Sequence, residues 1–158
     1  MHHLFYAAIP PTKTPICFLV QTIRKQEIED AYITPFGVNP DEVMVLDLYQ
    51  NQKKKKTPVA EIKAYIKEMV APTLEDMGVE YIVCSDSEYF KVLTKVTKVD
   101  PNLGYVLPCV FGGYKVVYVP SFRAIFYDPE KIKAKIEQGM QALVAHRSSS
   151  YEEPGNGI

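Results

Sequence analysis

Short, continuous apolar runs alternate with segments that have the hydrophobic spacing of helices, and this alternation strongly constrains the fold. The apolar runs lie at residues 16–23, 43–49 and 81–84, and further extended segments are predicted at residues 106–111, 115–119 and 124–127. A run without polar alternation is typical of a strand that is covered on both faces. We therefore predict an α/β protein, a three-layer α/β/α sandwich with a largely parallel central sheet.

The clearest predicted helix begins near Thr57, which can cap it, and ends near Gly78. Its apolar stripe consists of Ile62, Ile66, Met69 and Val70. Pro58 fits the first helical position because its missing N–H would have no partner there. This helix follows directly on the second strand, as a crossover to a parallel strand requires.

Two more helices, a hairpin and a long loop complete the prediction. Ser85 or Ser87 caps the second helix, and the third begins at Pro129 and ends near Leu143. The two glycines at residues 112–113 predict a hairpin turn. Residues 24–40 are polar and irregular, which is typical of a functional loop.

The length and composition predict one domain. A chain of 158 residues with 47% hydrophobic residues can bury one substantial core. We predict a domain over residues 1–145 and a flexible tail or linker over residues 146–158, whose serines, proline and glycines favour a fragment of a longer polypeptide. The net charge is -1, so any contact with nucleic acid needs a local basic patch.

The cysteines and histidines indicate no disulfide, metal or cofactor. Three cysteines without C-x-x-C spacing lie in or beside apolar runs, and we predict buried thiols in a reducing cytosol: Cys17, Cys84 and Cys109. His2, His3 and His146 lie near the termini and offer no scaffold for a metal or a catalytic triad. Phosphate-binding glycine motifs are absent. No apolar run reaches membrane-spanning length and no secretory signal is present, which predicts a soluble, cytoplasmic protein.

Short motifs accompany the predicted strands. They are Pro35-Phe36-Gly37, Asp47, Thr57-Pro58-Val59-Ala60-Glu61-Ile62, Tyr81-Ile82-Val83-Cys84-Ser85 and Val119-Pro120-Ser121. In this order they resemble the uracil-DNA glycosylase superfamily, and especially the degenerate glycosylase-like domains at the N-terminus of some bacteriophage DNA polymerases. The resemblance covers most of the chain and implies a glycosylase-like fold.

The departures from the family imply that the chemistry has been lost. Where the family has an asparagine that reads uracil, an ionised Asp47 can only accept hydrogen bonds. Val119 stands where the family has histidine and cannot stabilise a departing uracil anion. The first loop lacks the family's water-activating pattern. We therefore treat Asp47, Val119, Pro120 and Ser121 as vestigial positions, name no catalytic residue, and expect no uracil excision.

The function that the resemblance implies is binding of DNA or of replisome proteins within a phage DNA replication polymerase, in the cytoplasm of an infected bacterium. Lys53, Lys54, Lys55 and Lys56 could contact phosphates of single-stranded or primer-template DNA, Phe36 could stack on a base, and Arg123 could contact a phosphate. Structural alternatives stay open. The lysines can be a solvated loop tip, Phe36 can close the core, Ser121 can cap a turn, and Asp47 can accept from the lysine-rich loop.

Two other functions compete with this one. A standalone glycosylase-like or nucleotide-binding enzyme with an altered active site could use Glu27, Asp47 or Ser121. A small protein that mimics DNA and blocks a glycosylase is disfavoured, because such mimics are strongly acidic and this chain has a net charge of only -1.

Overall fold

Five strands form a mostly parallel sheet in this computed structural model, which describes residues 14–21 and 24–156. The strands are β1 Ile16–Val20, β2 Val43–Asp47, β3 Tyr81–Cys84, β4 Leu107–Pro108 and β5 Lys115–Tyr118. Their order is β2-β1-β3-β5-β4, and only β4 runs antiparallel to its neighbour. The predicted α/β class with a largely parallel sheet is confirmed.

Helices connect the parallel strands. α1 Lys25–Ile28 continues as a π-helix Glu29–Ile33 and a 3₁₀ helix Thr34–Phe36. α2 Val59–Tyr65 continues as a π-helix Ile66–Val70 and is followed by α3 Ala71–Asp76. α4 Ser87–Thr94 follows β3, and α5 Pro129–Asn156 follows the last strand. Short 3₁₀ helices lie at Pro40–Glu42, Asp100–Asn102 and Phe122–Phe126. Gly78 takes a left-handed conformation with φ 68° just after α3, as the predicted helix stop requires.

Both faces of the sheet are buried under helices. Alternate residues of β1 point to opposite faces, so Cys17 and Leu19 join one core and Ile16 and Phe18 join the other. The first core contains buried residues of α2, its π-helical continuation, α3 and α4, and the second contains buried residues of the segment after β1 and of α5. The strands therefore need no polar face, which explains their continuous apolar runs.

The prediction of an irregular loop over residues 24–40 is wrong. Most of this segment is helical, and Ile28, Tyr32 and Ile33 are buried against the sheet. A period of 3.6 residues does not predict the spacing of these three residues, because the segment widens into a π-helix, where each turn holds more residues. Surrounding polar residues face solvent and gave the segment its loop-like composition.

The first predicted helix has a different start and a different stripe. α2 begins at Val59 after Pro58, and the Thr57 hydroxyl does not cap it, but accepts a hydrogen bond from the backbone N–H of Asn51 at 2.9 Å. Met69 is 42% exposed, whereas Ile66 and Val70 are buried. In the π-helix, residues four apart in sequence, such as Ile66 and Val70, share the buried face. Met69, three residues after Ile66, therefore faces outward.

Other predicted boundaries also change. Asp86, and neither Ser85 nor Ser87, caps α4, because its carboxylate accepts from the N–H of Tyr89 at 3.0 Å. The segment predicted to be extended at residues 124–127 is largely the 3₁₀ helix Phe122–Phe126. α5 passes the predicted end near Leu143 and extends to Asn156. The hairpin between β4 and β5 is confirmed.

The cysteines are buried free thiols, as predicted. Burial raises the pKa of Cys17 and of Cys84 far above the usual range, so both remain protonated and inert. Within residues 14–21 and 24–156, no helix combines the length and the apolar character that crossing a membrane requires. The predicted end of the first strand at residues 22–23, and His2 and His3, lie outside the described residues.

Candidate binding site at the carboxyl edge of the sheet

The ends of four parallel strands meet at one edge of the sheet. β1, β2, β3 and β5 all finish there, and we call it the carboxyl edge. The chain passes from β1 to β2 on one side, and β3 lies on the other side of β1, so the strand order reverses between β1 and β3. In open α/β sheets, ligands bind outside the carboxyl ends at such a reversal. This edge of the sheet is therefore the expected position of a binding site.

A polar pocket of about 360 Å³ lies at this edge, and we call it the edge pocket. It is lined by Gln21, Asp47, Leu48, Tyr49, Gln50, Gln52 and Arg123. The Gln21 amide donates to the Gln50 side chain at 3.4 Å, which links the segments that follow β1 and β2. The three glutamines offer both donors and acceptors, the carboxylate of Asp47 accepts, and Arg123 supplies a cation. This combination fits a small polar or anionic group.

The structure brings together two residues that the sequence analysis selected, Asp47 and Arg123, since both line the edge pocket. Ser121 has the capping role that was left open. Its hydroxyl accepts from the N–H of Arg123 at 3.3 Å and begins the 3₁₀ helix. The carbonyl of the buried Pro120 accepts a hydrogen bond from the hydroxyl of Tyr32 at 2.9 Å, so this loop is anchored to the helical layer.

Val119 belongs to the core rather than to the pocket. Its side chain is fully buried among residues that pack against α5. An added Cβ at Gly139 would lie 2.6 Å from Cγ1 of Val119 and 2.6 Å from the carbonyl oxygen of Tyr118. The helix therefore approaches the end of β5 closely at a glycine. Val119 offers no group that could touch a substrate.

The four lysines lie beside the edge pocket, in a loop over residues 50–57 that we call the lysine loop. Lys53, Lys54, Lys55 and Lys56 are all exposed. Lys54 forms an ion pair with Glu61 at 3.8 Å, and Lys56 forms one with Glu88 at 3.0 Å. For Lys53 and Lys55 the described part of the chain provides no ion pair. These two side chains retain an uncompensated charge.

A second polar pocket, of about 290 Å³, lies under the lysine loop. Its lining includes Asn51, Lys54, Lys55, Asp86 and Glu88. Acidic and basic side chains are mixed here, and the carboxylate of Asp86 already accepts from the first turn of α4. The two pockets share Gln50 and Gln52, so they adjoin each other along the carboxyl edge.

Two tyrosines that the sequence analysis missed hold the chain at and after the end of β2. Tyr65 donates to the carbonyl of Asp47 at 2.7 Å, and Tyr89 donates to the carbonyl of Tyr49 at 2.6 Å. Burial raises the pKa of Tyr65 to about 12 and that of Tyr89 still further, so both hydroxyls remain donors. Their spacing along the sequence gave no signal, because α2 and α4 bring them together only in the folded chain.

The carboxylate of Glu61, in α2, holds the start of the lysine loop by two hydrogen bonds. One carboxylate oxygen accepts from the Tyr49 hydroxyl at 2.8 Å and from the Asn51 amide at 2.9 Å. The side-chain oxygen of Asn51 in turn accepts from the N–H of Lys53 at 2.9 Å. The hydrogen bond from Tyr49, followed by that from Asn51, holds the pKa of Glu61 below its ordinary value. The backbone of the loop is therefore a structured turn that Asn51 and Glu61 hold in place.

The Glu61→Gln substitution is expected to reduce stability at neutral pH, and the deficit is expected to shrink in acid. A carboxylate whose pKa is lowered by folding stabilises the protein fully above its unfolded pKa, near 4.5, and loses that contribution as the pH falls through the folded value. Urea midpoints of the wild type and the variant at neutral and acidic pH measure the difference. Glu68→Gln, at an exposed position in the same helical layer, controls for loss of one negative charge. A deficit that is independent of pH would contradict this role.

Two other candidate residues lie away from the edge pocket. Phe36 is half-buried, packs against the core beneath α5, and lines cavities with residues such as Ile136 and Val144. These contacts match the interpretation that Phe36 closes the core. Glu27 accepts from the N–H of Arg24 at 2.9 Å, which closes the first turn of α1.

Within the described ranges, no group of three histidine, cysteine, aspartate or glutamate side chains is placed to hold a metal ion. The chain matches no protein-family model and no curated protein sequence. The interpretation of the site therefore depends on its geometry and charge.

Proposed function

We propose that this chain is a non-catalytic, uracil-DNA glycosylase-like domain that binds single-stranded or primer-template DNA at the carboxyl edge of its sheet. The observation that carries this proposal is the position of the basic residues. Arg123 lines the edge pocket, and Lys55 lines the second pocket, which shares Gln50 and Gln52 with the edge pocket. Lys53 lies next to Gln52 in the same loop. The charge of the whole chain is near zero, so this local clustering is what would attract a polyanion.

The resemblance to phage polymerase domains gives this binding a context. The chain would position DNA, or a replisome protein, for a DNA replication polymerase that incorporates nucleotides through domains outside this sequence, in the cytoplasm of an infected bacterium. Burial of Val119 supports the non-catalytic part of the proposal, because no cationic donor occupies the position of the family's histidine. We do not include Phe36 in the proposed DNA contact, because it packs against the core beside α5.

A second candidate, a nucleotide-binding enzyme with an altered site, is favoured by one feature. Asp47 and Arg123 line the same pocket and provide a carboxylate and a cation. A free nucleotide would then bind the edge pocket with its phosphate at Arg123. Calorimetric titration with mononucleotides distinguishes the two functions, because a site that only follows a DNA backbone binds single nucleotides weakly.

Replacing Lys53 and Lys55 together by alanine is expected to weaken binding of a fluorescent single strand and to lower its salt dependence. Each lost phosphate contact reduces the slope of log K against log salt by about 0.7 for a single strand, so the double variant should lose about 1.4. Fluorescence anisotropy over a range of salt concentrations measures this slope.

The control removes the same charge elsewhere. Lys67 and Lys115 are exposed, and Lys115 begins β5 at the end opposite the carboxyl edge. Their double alanine variant should bind like the wild type. An equal loss of DNA affinity in both double variants would show that charge attracts the DNA without a defined site. Failure of the wild type to bind any strand would overturn the proposed function.

A further inference from the structure

Phe126 and Tyr127 are the two most exposed large hydrophobic side chains in the described part of the chain, at 79% and 91% exposure. They lie side by side in sequence just after β5, where the 3₁₀ helix Phe122–Phe126 ends. Two adjacent aromatic rings in water lose the stabilisation that burial would give them, and such exposure is typical of a binding surface.

The backbone on both sides of this aromatic pair is fixed. Ser121 caps the 3₁₀ helix, and the preceding Pro120 is held by the hydroxyl of Tyr32. The N–H of Tyr127 donates to the carbonyl of Ala124 at 3.0 Å, and Asp128 then accepts from the N–H of Lys131 at 3.3 Å as α5 begins. The pair is therefore presented by a defined turn, which reduces the entropy lost when a ligand binds.

The 3₁₀ helix Phe122–Phe126 also contains Arg123, which lines the edge pocket. A 3₁₀ helix has three residues per turn, so Arg123 and Phe126 lie one above the other on the same side. Arg123 lines the edge pocket together with Gln50 and Gln52, which both belong to the lysine loop. The aromatic pair thus lies one 3₁₀ turn after a cation that lines the edge pocket, and the loop that carries the four lysines contributes Gln50 and Gln52 to the same pocket.

We propose that Phe126 and Tyr127 form a stacking platform for the bases of single-stranded nucleic acid, with the phosphates directed to Arg123 and the lysine loop. This inference rests on the proposed function and specifies its ligand. Aromatic platforms beside a basic groove bind unpaired bases without strong sequence preference. In a duplex the base faces are already stacked on one another, so the platform selects single strands. The adjoining charge favours a polyanion over an apolar protein surface.

The test compares two strands of equal length and charge. One is a short oligothymidylate, and the other has the same backbone with abasic sites in place of every base. Binding of both to the full chain and to the Phe126→Ser and Tyr127→Ser double variant is measured by anisotropy at one salt concentration. Met69→Ser, which removes another exposed apolar side chain in the helical layer, is the control.

The wild type and the Met69→Ser variant are expected to prefer the strand with bases by at least about tenfold, and the double variant is expected to lose this preference while still binding the abasic strand. If the wild type binds both strands equally, the stacking platform is overturned and the proposed DNA binding stands. A protein-binding role then becomes the better explanation of the exposed rings. If the wild type binds neither strand, the proposed function itself fails. A preference that persists in the double variant also overturns the platform.

Discussion

Replacing Phe90 by alanine is expected to lower the free energy of unfolding by about 3–5 kcal/mol. Phe90 is fully buried in the core between the sheet and α4, and its ring packs edge-on against Tyr118 with 5.6 Å between the ring centroids. The substitution removes a large apolar side chain and leaves a cavity that the short helix α4 and strand β5 can only partly fill.

Urea unfolding followed by circular dichroism measures this loss as a lower midpoint with an unchanged slope. The matched control is Phe126→Ala, the same substitution at a ring that is 79% exposed, which should change stability by about 0.5 kcal/mol or less. A similar effect of both substitutions would show that the two positions do not differ in burial as the structure describes.

Phe90 also illustrates what the sequence could predict. The strand runs and the apolar faces of α4 and α5 follow simple periodicities, because each segment buries a stripe set by its own backbone geometry. Ile136, Met140 and Leu143 recur at helical spacing and are buried as expected. Fold class follows from such local patterns, since alternating strands and helices have few ways to bury both faces of a sheet.

The errors lie where the backbone departs from regular geometry. One π-helix turns Met69 to the surface, and the other changes the spacing of the buried residues in the segment after β1. A pattern based on 3.6 residues per turn predicts neither position. Three consecutive residues, Ser85, Asp86 and Ser87, are all of types that commonly cap helices, so the sequence did not determine the cap of α4. In the structure the cap is Asp86.

The candidate site was predictable only in part. The lysine cluster and Arg123 stand out in the sequence because charge is visible there. Tyr65, Tyr89 and Glu61 hold the chain from the end of β2 into the lysine loop. They are separated along the sequence and meet only through tertiary packing. Exposure of Phe126 could not be read from composition, since aromatic residues are more often buried.

The Val119→His substitution, which introduces the histidine found in the matching loop of uracil-DNA glycosylases, is expected to lower stability by about 2–6 kcal/mol and to create no uracil excision. Val119 is fully buried, and the close approach of Gly139 leaves no room for a larger ring. Overpacking costs about 1–3 kcal/mol, and a buried imidazole without hydrogen-bond partners adds about 1–3 kcal/mol. The new side chain would enter the core instead of the edge pocket.

The pH dependence separates a buried imidazole from a general packing defect. Burial favours the neutral form and lowers the pKa of the introduced histidine below its unfolded value of about 6.5, so the variant should lose further stability as the pH falls through that value. Val119→Ala, which removes volume without adding an ionisable group, should show a deficit that does not grow in the same range. Urea midpoints measure both effects. Appearance of abasic sites above background in uracil-containing single-stranded DNA, with the wild type or with Val119→His, would contradict the proposal that this edge of the sheet binds DNA without catalysis.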